Sequence, residues 1–233
     1  MLPYPKTKLL FFDLETVGGY PTLSEFEKNN PALHKVFMKY QDWFIKKFPE
    51  DKDKTPEEIY ETRAALVPEF AKIVVASFAF ISPDGKMQMQ TFALDDEKQL
   101  LKNTIQLLNK VHKLNFFMCG HNIKGFDIPM LAKRMLIQNI LPPSILPAFN
   151  TKPWEIRAID TKEVWQFGAY TAIGSLDLLC ACMDVPSPKE GEVVGSKVHD
   201  AYWNKGMLKE IAEYCERDVQ VLIDVIKKLK ELK

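Results

Sequence analysis

Hydrophobic positions along the chain change period between two and about 3.6, and the changes mark its elements. Residues 8–14 (Lys-Leu-Leu-Phe-Phe-Asp-Leu) are apolar at adjacent positions, the pattern of a central strand buried on both faces. Residues 22–48 have helical periodicity, interrupted at Pro31, with Leu33, Val36, Phe37, Tyr40, Phe44 and Phe48 in one stripe. The charged run 49–56 predicts an exposed loop, and a short helix follows over about 56–65. Residues 72–82 and 86–93 predict a hairpin joined through Ser-Pro-Asp-Gly. An amphipathic helix over 96–113, a short strand over 115–119 and a helix over 128–139 come next, the last with Pro129 in its first turn. Four prolines make 140–153 irregular; a strand over 156–160 and helices over 171–183 and 206–231 complete the chain. Strands alternating with helices after an initial hairpin predict an α/β layer with a mixed sheet.

Composition narrows the function classes. The 233 residues, 46% hydrophobic and 27% charged, are long enough to bury a full core. No apolar run reaches the length of a membrane span, and the N-terminus lacks the apolar stretch of a signal peptide, so no membrane partner is expected. A formal net charge of zero argues against bulk electrostatic capture of nucleic acid, so any such contact must come from local lysines and bound metal. Cys119, Cys180, Cys182 and Cys215 contain no Cys-x-x-Cys pair and read as reduced, mostly buried thiols of a cytoplasmic protein. The four histidines lack zinc-ligand spacing.

Four acids stand out from this pattern. Asp13 and Glu15 follow the first apolar run in Phe-Phe-Asp-Leu-Glu-Thr. Alternate side chains of a strand share a face, so the two point the same way, roughly 7 Å apart. They are expected to end the strand at its C-terminal edge, where open α/β sheets bind ligands. Like charges there repel unless a cation lies between them; the alternative is two solvent-facing acids in a turn. Asp127 stands near a helix N-terminus, where it can cap the helix, oppose its dipole or face a ligand. Gly120 and Gly125 beside it permit close backbone approach. Tyr214 and Asp218, four residues apart, share one face of the last helix and lie along its apolar stripe of Ile211, Cys215, Leu222, Val225, Ile226 and Leu229. A carboxylate there needs a partner, either a cation such as Arg157 or a metal ion. Carboxylates gathered by a fold make a site for hard divalent cations, which phosphodiester hydrolysis uses.

In this order the residues resemble the motifs of the DEDD 3′–5′ exonucleases, the DnaQ-like group of the ribonuclease H-like superfamily, in the subtype with tyrosine in its third motif. The first motif is Asp13-Leu14-Glu15-Thr16, the second runs from Asn122 to Phe126-Asp127, and the third from Tyr214 to Asp218. Ser-Leu-Asp-Leu-Leu at 175–179, Ser-Pro-Lys at 187–189 and Gly-Ser at 195–196 resemble the predicted exonucleases related to the proofreading domain of family B DNA polymerases. The resemblance covers nearly all of the chain, read as one exonuclease domain over 1–233. It implies a five-stranded mixed sheet flanked by helices, with about 20–68 a helical insertion between strands 1 and 2. It also implies two Mg²⁺ or Mn²⁺ ions about 4 Å apart. Asp13, Glu15 and Asp218 would hold one, Asp13 would bridge to the second with support from Asp127, and Tyr214 would orient the attacking water. With an ordinary pKa near 10, tyrosine suits positioning better than proton abstraction.

Thr16, His121, Asn122 and Phe126 are candidates to touch substrate, although His121 and Asn122 suit hydrogen bonds that organise their turn equally well. Asp160 reads as a structural acceptor for its own loop, and Asp177 stays unassigned. Arg134, Arg157 and Arg217 are unranked candidates for phosphate contact. Phe37, Tyr40, Trp43, Phe44 and Phe48, interleaved with lysines, fit stacking on a single strand, but a core-facing stripe with a solvated lysine face fits better. The expected activity is 3′–5′ exonucleolytic cleavage of DNA, with single-stranded 3′ ends as the expected substrate. The rivals are an exoribonuclease, because nothing in these motifs reads a 2′-hydroxyl, and a nucleic-acid-binding module without catalysis. Protein partners are not indicated.

Overall fold

The computed structural model describes residues 5–169, 174–187 and 195–231. Strand β1 (Leu9–Gly18) carries the first apolar run and continues past it. Three short helices follow: α1 (Leu23–Asn29), α2 (Pro31–Lys39) and α3 (Gln41–Lys47). Thr22 caps α1 and Asn30 caps α2, with Pro31 at the first helical position, so the break at Pro31 is as the sequence predicts. A second break at Tyr40 divides the expected stripe. Phe37 and Phe44 are buried, whereas Val36 and Tyr40 are exposed. Helix α4 (Pro56–Arg63) opens with a reciprocal capping box between Thr55 and Glu58.

The charged run before α4 is not simply an exposed loop. Asp51 is buried and paired with Arg63 Nε at 2.5 Å and Lys54 Nζ at 2.8 Å. These helices close over a cluster of Phe26, Phe37, Phe44, Ile59, Tyr60 and Phe70. Hydrogen bonds tie the cluster to the sheet: the Tyr20 amide donates to Tyr60 Oη (2.8 Å) and Thr16 Oγ1 donates to the Ala65 carbonyl (2.9 Å).

Strands β2 (Ala71–Ile81) and β3 (Met87–Ala93) form the expected hairpin. Helix α5 (Glu97–Lys113) is capped by Asp96. Strand β4 (Phe117–Gly120), helix α6 (Asp127–Ile137) and strand β5 (Ala158–Asp160) follow. Then come α7 (Thr161–Gln166), α8 (Leu176–Cys182), α9 (Val198–Trp203) and α10 (Leu208–Glu231). Helix α8 begins later than the periodicity suggests, at the Ser175 cap; residues 171–173 lie outside the described residues. Helices α7 and α9 are six residues each, too short for their periodicity to register in the sequence.

The sheet order is β3-β2-β1-β4-β5, with β1–β2 and β2–β3 antiparallel and β1–β4 and β4–β5 parallel. This is the mixed five-stranded, ribonuclease H-like sheet that the resemblance implies. One face packs Leu10, Phe12 and Leu14 against α5 and α6 through Leu100, Leu101, Leu108, Leu131 and Met135. The other packs Leu9 and Phe11 against Val219, Leu222, Ile223 and Ile226 of α10. Among the described residues no helix is long and apolar enough to cross a membrane.

Candidate active site

Strand β1 does not end at its acids as expected. It runs to Gly18 because β2 continues to pair with it, through a register shift between Glu15 and Thr16. Its parallel neighbour β4 accompanies it only as far as Phe11↔Cys119. Beyond Phe11 the β4 side of β1 is therefore open, and the acids project where the parallel half of the sheet stops. Gly120 closes β4 at this point. A β-carbon there would lie 2.9 Å from the Phe12 carbonyl oxygen, so the close approach of the two strands requires glycine.

Odd-numbered side chains of β1 face α10. Leu9 and Phe11 are apolar, and Asp13 and Glu15 continue the same row. Asp218 and Tyr214 come from α10, and both are buried. Asp127 opens α6 but does not cap it. Its Oδ1 accepts the Leu14 N–H at 3.2 Å, on the open stretch of β1. Four carboxylates from three distant segments thus converge with one tyrosine.

Their electrostatics follow from crowding. Burial pushes the Asp13 carboxyl well above its ordinary range, and Asp127, Glu15 and Asp218 push it further. Glu15 is raised by burial, then by Asp218 and Asp127. Burial lifts Asp127 from 3.8 to about 7, against the lowering effect of its amide hydrogen bonds. The groups that act most strongly on these three are carboxylates, a thiol and backbone amides. Burial first, then the Asp218 charge, raises the Tyr214 phenol above its ordinary value. Arg157 is not the partner that an ion-pair reading of Asp218 would call for: its guanidinium lies over the Phe117 ring at 4.6 Å.

The remaining sequence candidates are engaged with the fold. His121 bonds Thr161 Oγ1 (2.9 Å) and the Gly174 carbonyl (2.7 Å) through its two ring nitrogens. The Asn122 amide donates to Asp160 Oδ1 (2.7 Å), and its Oδ1 accepts from Lys162 Nζ (3.2 Å). Thr16 is tied to Ala65, and Phe126 packs partly buried against the α5/α6 core. Asp160 is structural as expected: it caps α7 through the Lys162 amide and accepts the Asn122 and Lys124 amides. Asp177 accepts from Ser187 Oγ at 2.5 Å; Pro188 and Lys189 of the same motif lie outside the described residues. A β-carbon on Gly195 would lie 3.7 Å from Tyr214 Oη, so the Gly-Ser motif at 195–196 borders the site. Arg134 is no phosphate contact, being paired in the interior with Glu97. Arg217 lies 5.9 Å from the Tyr214 ring centre. One neighbour of the acids was read in the sequence only as a buried thiol on the α10 stripe. Cys215 places its sulfur within 4.8 Å of ligand atoms of both Asp13 and Glu15. Its position on the α10 stripe, next to Tyr214, was the available signal.

No curated protein matches the chain. Among solved structures it is similar to the family B DNA polymerase of the hyperthermophilic archaeon Pyrobaculum calidifontis, with a TM-score of 0.57 and 14% identity. That match covers 97% of this chain and 25% of the polymerase chain, a likeness of fold. Residues 65–222, more than half of the chain, match the family described as predicted 3′–5′ exonucleases related to the exonuclease domain of PolB. By this match the chain belongs to this family of predicted 3′–5′ exonucleases.

Proposed function

We propose that this protein is a metal-dependent 3′–5′ exonuclease that hydrolyses phosphodiester bonds at single-stranded 3′ ends of DNA. The observation that carries the reading is the mutual repulsion of Asp13, Glu15, Asp127 and Asp218 in a buried site. Such charge density calls for cations, and an all-carboxylate oxygen set fits Mg²⁺ or Mn²⁺ better than a softer metal. Asp13, Glu15 and Asp218 would hold one ion. Asp13 and Asp127 would hold a second, Asp127 directly or through water. When bound, such ions lower the pKa of a water and stabilise charge on the phosphate and the leaving 3′ oxygen.

The side chains supply position. Tyr214 stays a neutral phenol at physiological pH, because burial and the Asp218 charge both oppose its ionisation. Its neutral hydroxyl, beside Asp218, is suited to orient an attacking water and not to deprotonate it. Asp127 keeps one oxygen on the Leu14 amide, which fixes its carboxylate against β1. The same reading takes 1–233 as one exonuclease domain and about 20–68 as an insertion in it. DNA is favoured over RNA by the family's relation to a DNA polymerase exonuclease.

The test is a time course on matched DNA and RNA strands labelled at the 5′ end, with magnesium or manganese. A ladder shortening from the 3′ end of DNA, abolished by EDTA and by Asp13→Ala, is expected. Faster shortening of RNA would make the protein an exoribonuclease. No cleavage of either strand by folded, metal-loaded protein would sink the catalytic reading.

A further inference from the structure

Cys215 follows Tyr214 on α10 and is fully buried. Its sulfur lies 3.4 Å from the Asp13 carbonyl oxygen and 3.5 Å from Asp13 Oδ2. Behind it stands Ser77 of β2, also fully buried, directly opposite Asp13 in the β1–β2 ladder and opposite Thr91 in the β2–β3 ladder. Ser77 Oγ and Thr91 Oγ1 are 3.1 Å apart, and the Ser77 hydroxyl lies near enough to act on the Cys215 sulfur. One polar line therefore crosses three strands on the α10 side of the sheet, at the level where the β1 row changes from Leu9 and Phe11 to Asp13.

A hydroxyl in mid-sheet is costly unless it is bonded, and valine would fill position 77 with better strand propensity. Ser77 and Thr91 can each donate to the other, and the one thiol hydrogen of Cys215 has both the carbonyl oxygen and Oδ2 of Asp13 within reach.

We propose that Cys215 is a positioning residue: its thiol, 3.5 Å from Asp13 Oδ2, holds that oxygen so that the other faces the metal site. The inference rests on reading the four acids as metal ligands. Asp13 is pushed by three other carboxylates and needs an anchor to stay among them. A lysine would anchor it but would also neutralise it. A thiol is a weak donor that leaves the carboxylate its charge for a cation. Partners behind metal ligands commonly change metal affinity or activity about 10–100-fold when removed, and the weakness of S–H puts this one at the low end.

The experiment compares wild type with Cys215→Ala, Cys215→Ser and Ser77→Ala. It measures Mn²⁺ affinity by calorimetry, kcat and KM on single-stranded DNA, and the melting temperature without metal. Cys215→Ala is expected to weaken Mn²⁺ binding and lower kcat by about ten-fold with KM unchanged. Cys215→Ser is expected to recover most of both, and Ser77→Ala to move both in the direction of the alanine variant. Unaltered Mn²⁺ affinity in Cys215→Ala would overturn the proposal, as would equal losses in the alanine and serine variants, which packing alone would give. Should Cys215→Ala fail to fold, Ser77→Ala carries the same comparison. If wild type binds Mn²⁺ but cleaves neither DNA nor RNA, the exonuclease reading fails while the affinities still decide the role of Cys215. A wild type that binds no Mn²⁺ overturns both.

Discussion

Replacing Asp127 with asparagine should make the metal-free protein more stable. In the unfolded chain this carboxyl loses its proton near 3.8, and in the fold near 7. Between those values the folded state holds the extra proton, so stability falls as pH rises. The decline stops above about 7, where the charged form dominates in both states. At about 1.36 kcal/mol per pH unit, the interval corresponds to about 4 kcal/mol of destabilisation when complete. The substitution would remove this cost, while the new amide oxygen can still accept the Leu14 N–H now 3.2 Å from Oδ1. It would also lift one of the charges bearing on Asp13. The expected gain at pH 8 in EDTA is about 2–4 kcal/mol, on the order of 5–15 °C in Tm for a chain of this size. At pH 5, where Asp127 is already protonated in the fold, the gain should be far smaller. Adding Mn²⁺ should stabilise wild type and narrow the difference. Urea titrations at both pH values, with and without metal, provide the assay. An Asp127→Asn protein less stable than wild type at pH 8 in EDTA, or a gain that does not change with pH, would refute the reasoning.

Other consequences follow from the same structure. Tyr214→Phe should keep Mn²⁺ affinity and DNA binding but lower kcat about 10–100-fold, read by single-turnover cleavage, because only the hydroxyl beside Asp218 is lost. Arg134→Met leaves buried Glu97 without its guanidinium partner and should cost about 3–5 kcal/mol in urea denaturation with the metal site intact. His199 accepts the Gly18 amide at Nδ1 and bonds the Pro21 carbonyl at Nε2, and burial keeps its pKa below the ordinary 6.5. The folded state thus binds fewer protons there, and stability contributed by the neutral ring is present above 6.5 and lost as pH falls below it. His199→Gln should be less stable than wild type at pH 7 and lose less between pH 7 and 5, seen in urea midpoints at the two values.

The candidate site was legible because its parts carry local signals. Asp13 and Glu15 interrupt an apolar run, Asp127 sits between a glycine turn and Pro129, and Asp218 stands on an apolar helix face. What the sequence hid depends on distant partners. The strand continues through Glu15 and Thr16 to Gly18 because β2 pairs along it, and a charged segment does not advertise that partner. Asp51 reads as solvent-exposed among its charged neighbours, but Arg63 folds back to cover it. Arg134 carries the charge of a phosphate ligand, yet Glu97, on another helix, claims it. Tyr40 breaks a helix with no proline or glycine to mark the spot. Cys215 looked like one more apolar position, because Asp13, which its sulfur meets, lies on a strand 202 residues away.

The most direct test of the four-acid metal site is to count bound Mn²⁺ by paramagnetic resonance on metal-stripped wild type, Asp13→Asn and Asp218→Asn, with circular dichroism as the control for folding. Two ions per wild-type chain are expected, with affinity lowered by more than about ten-fold in each variant. Folded variants that bind manganese as wild type does, or a wild type that binds none, would contradict it.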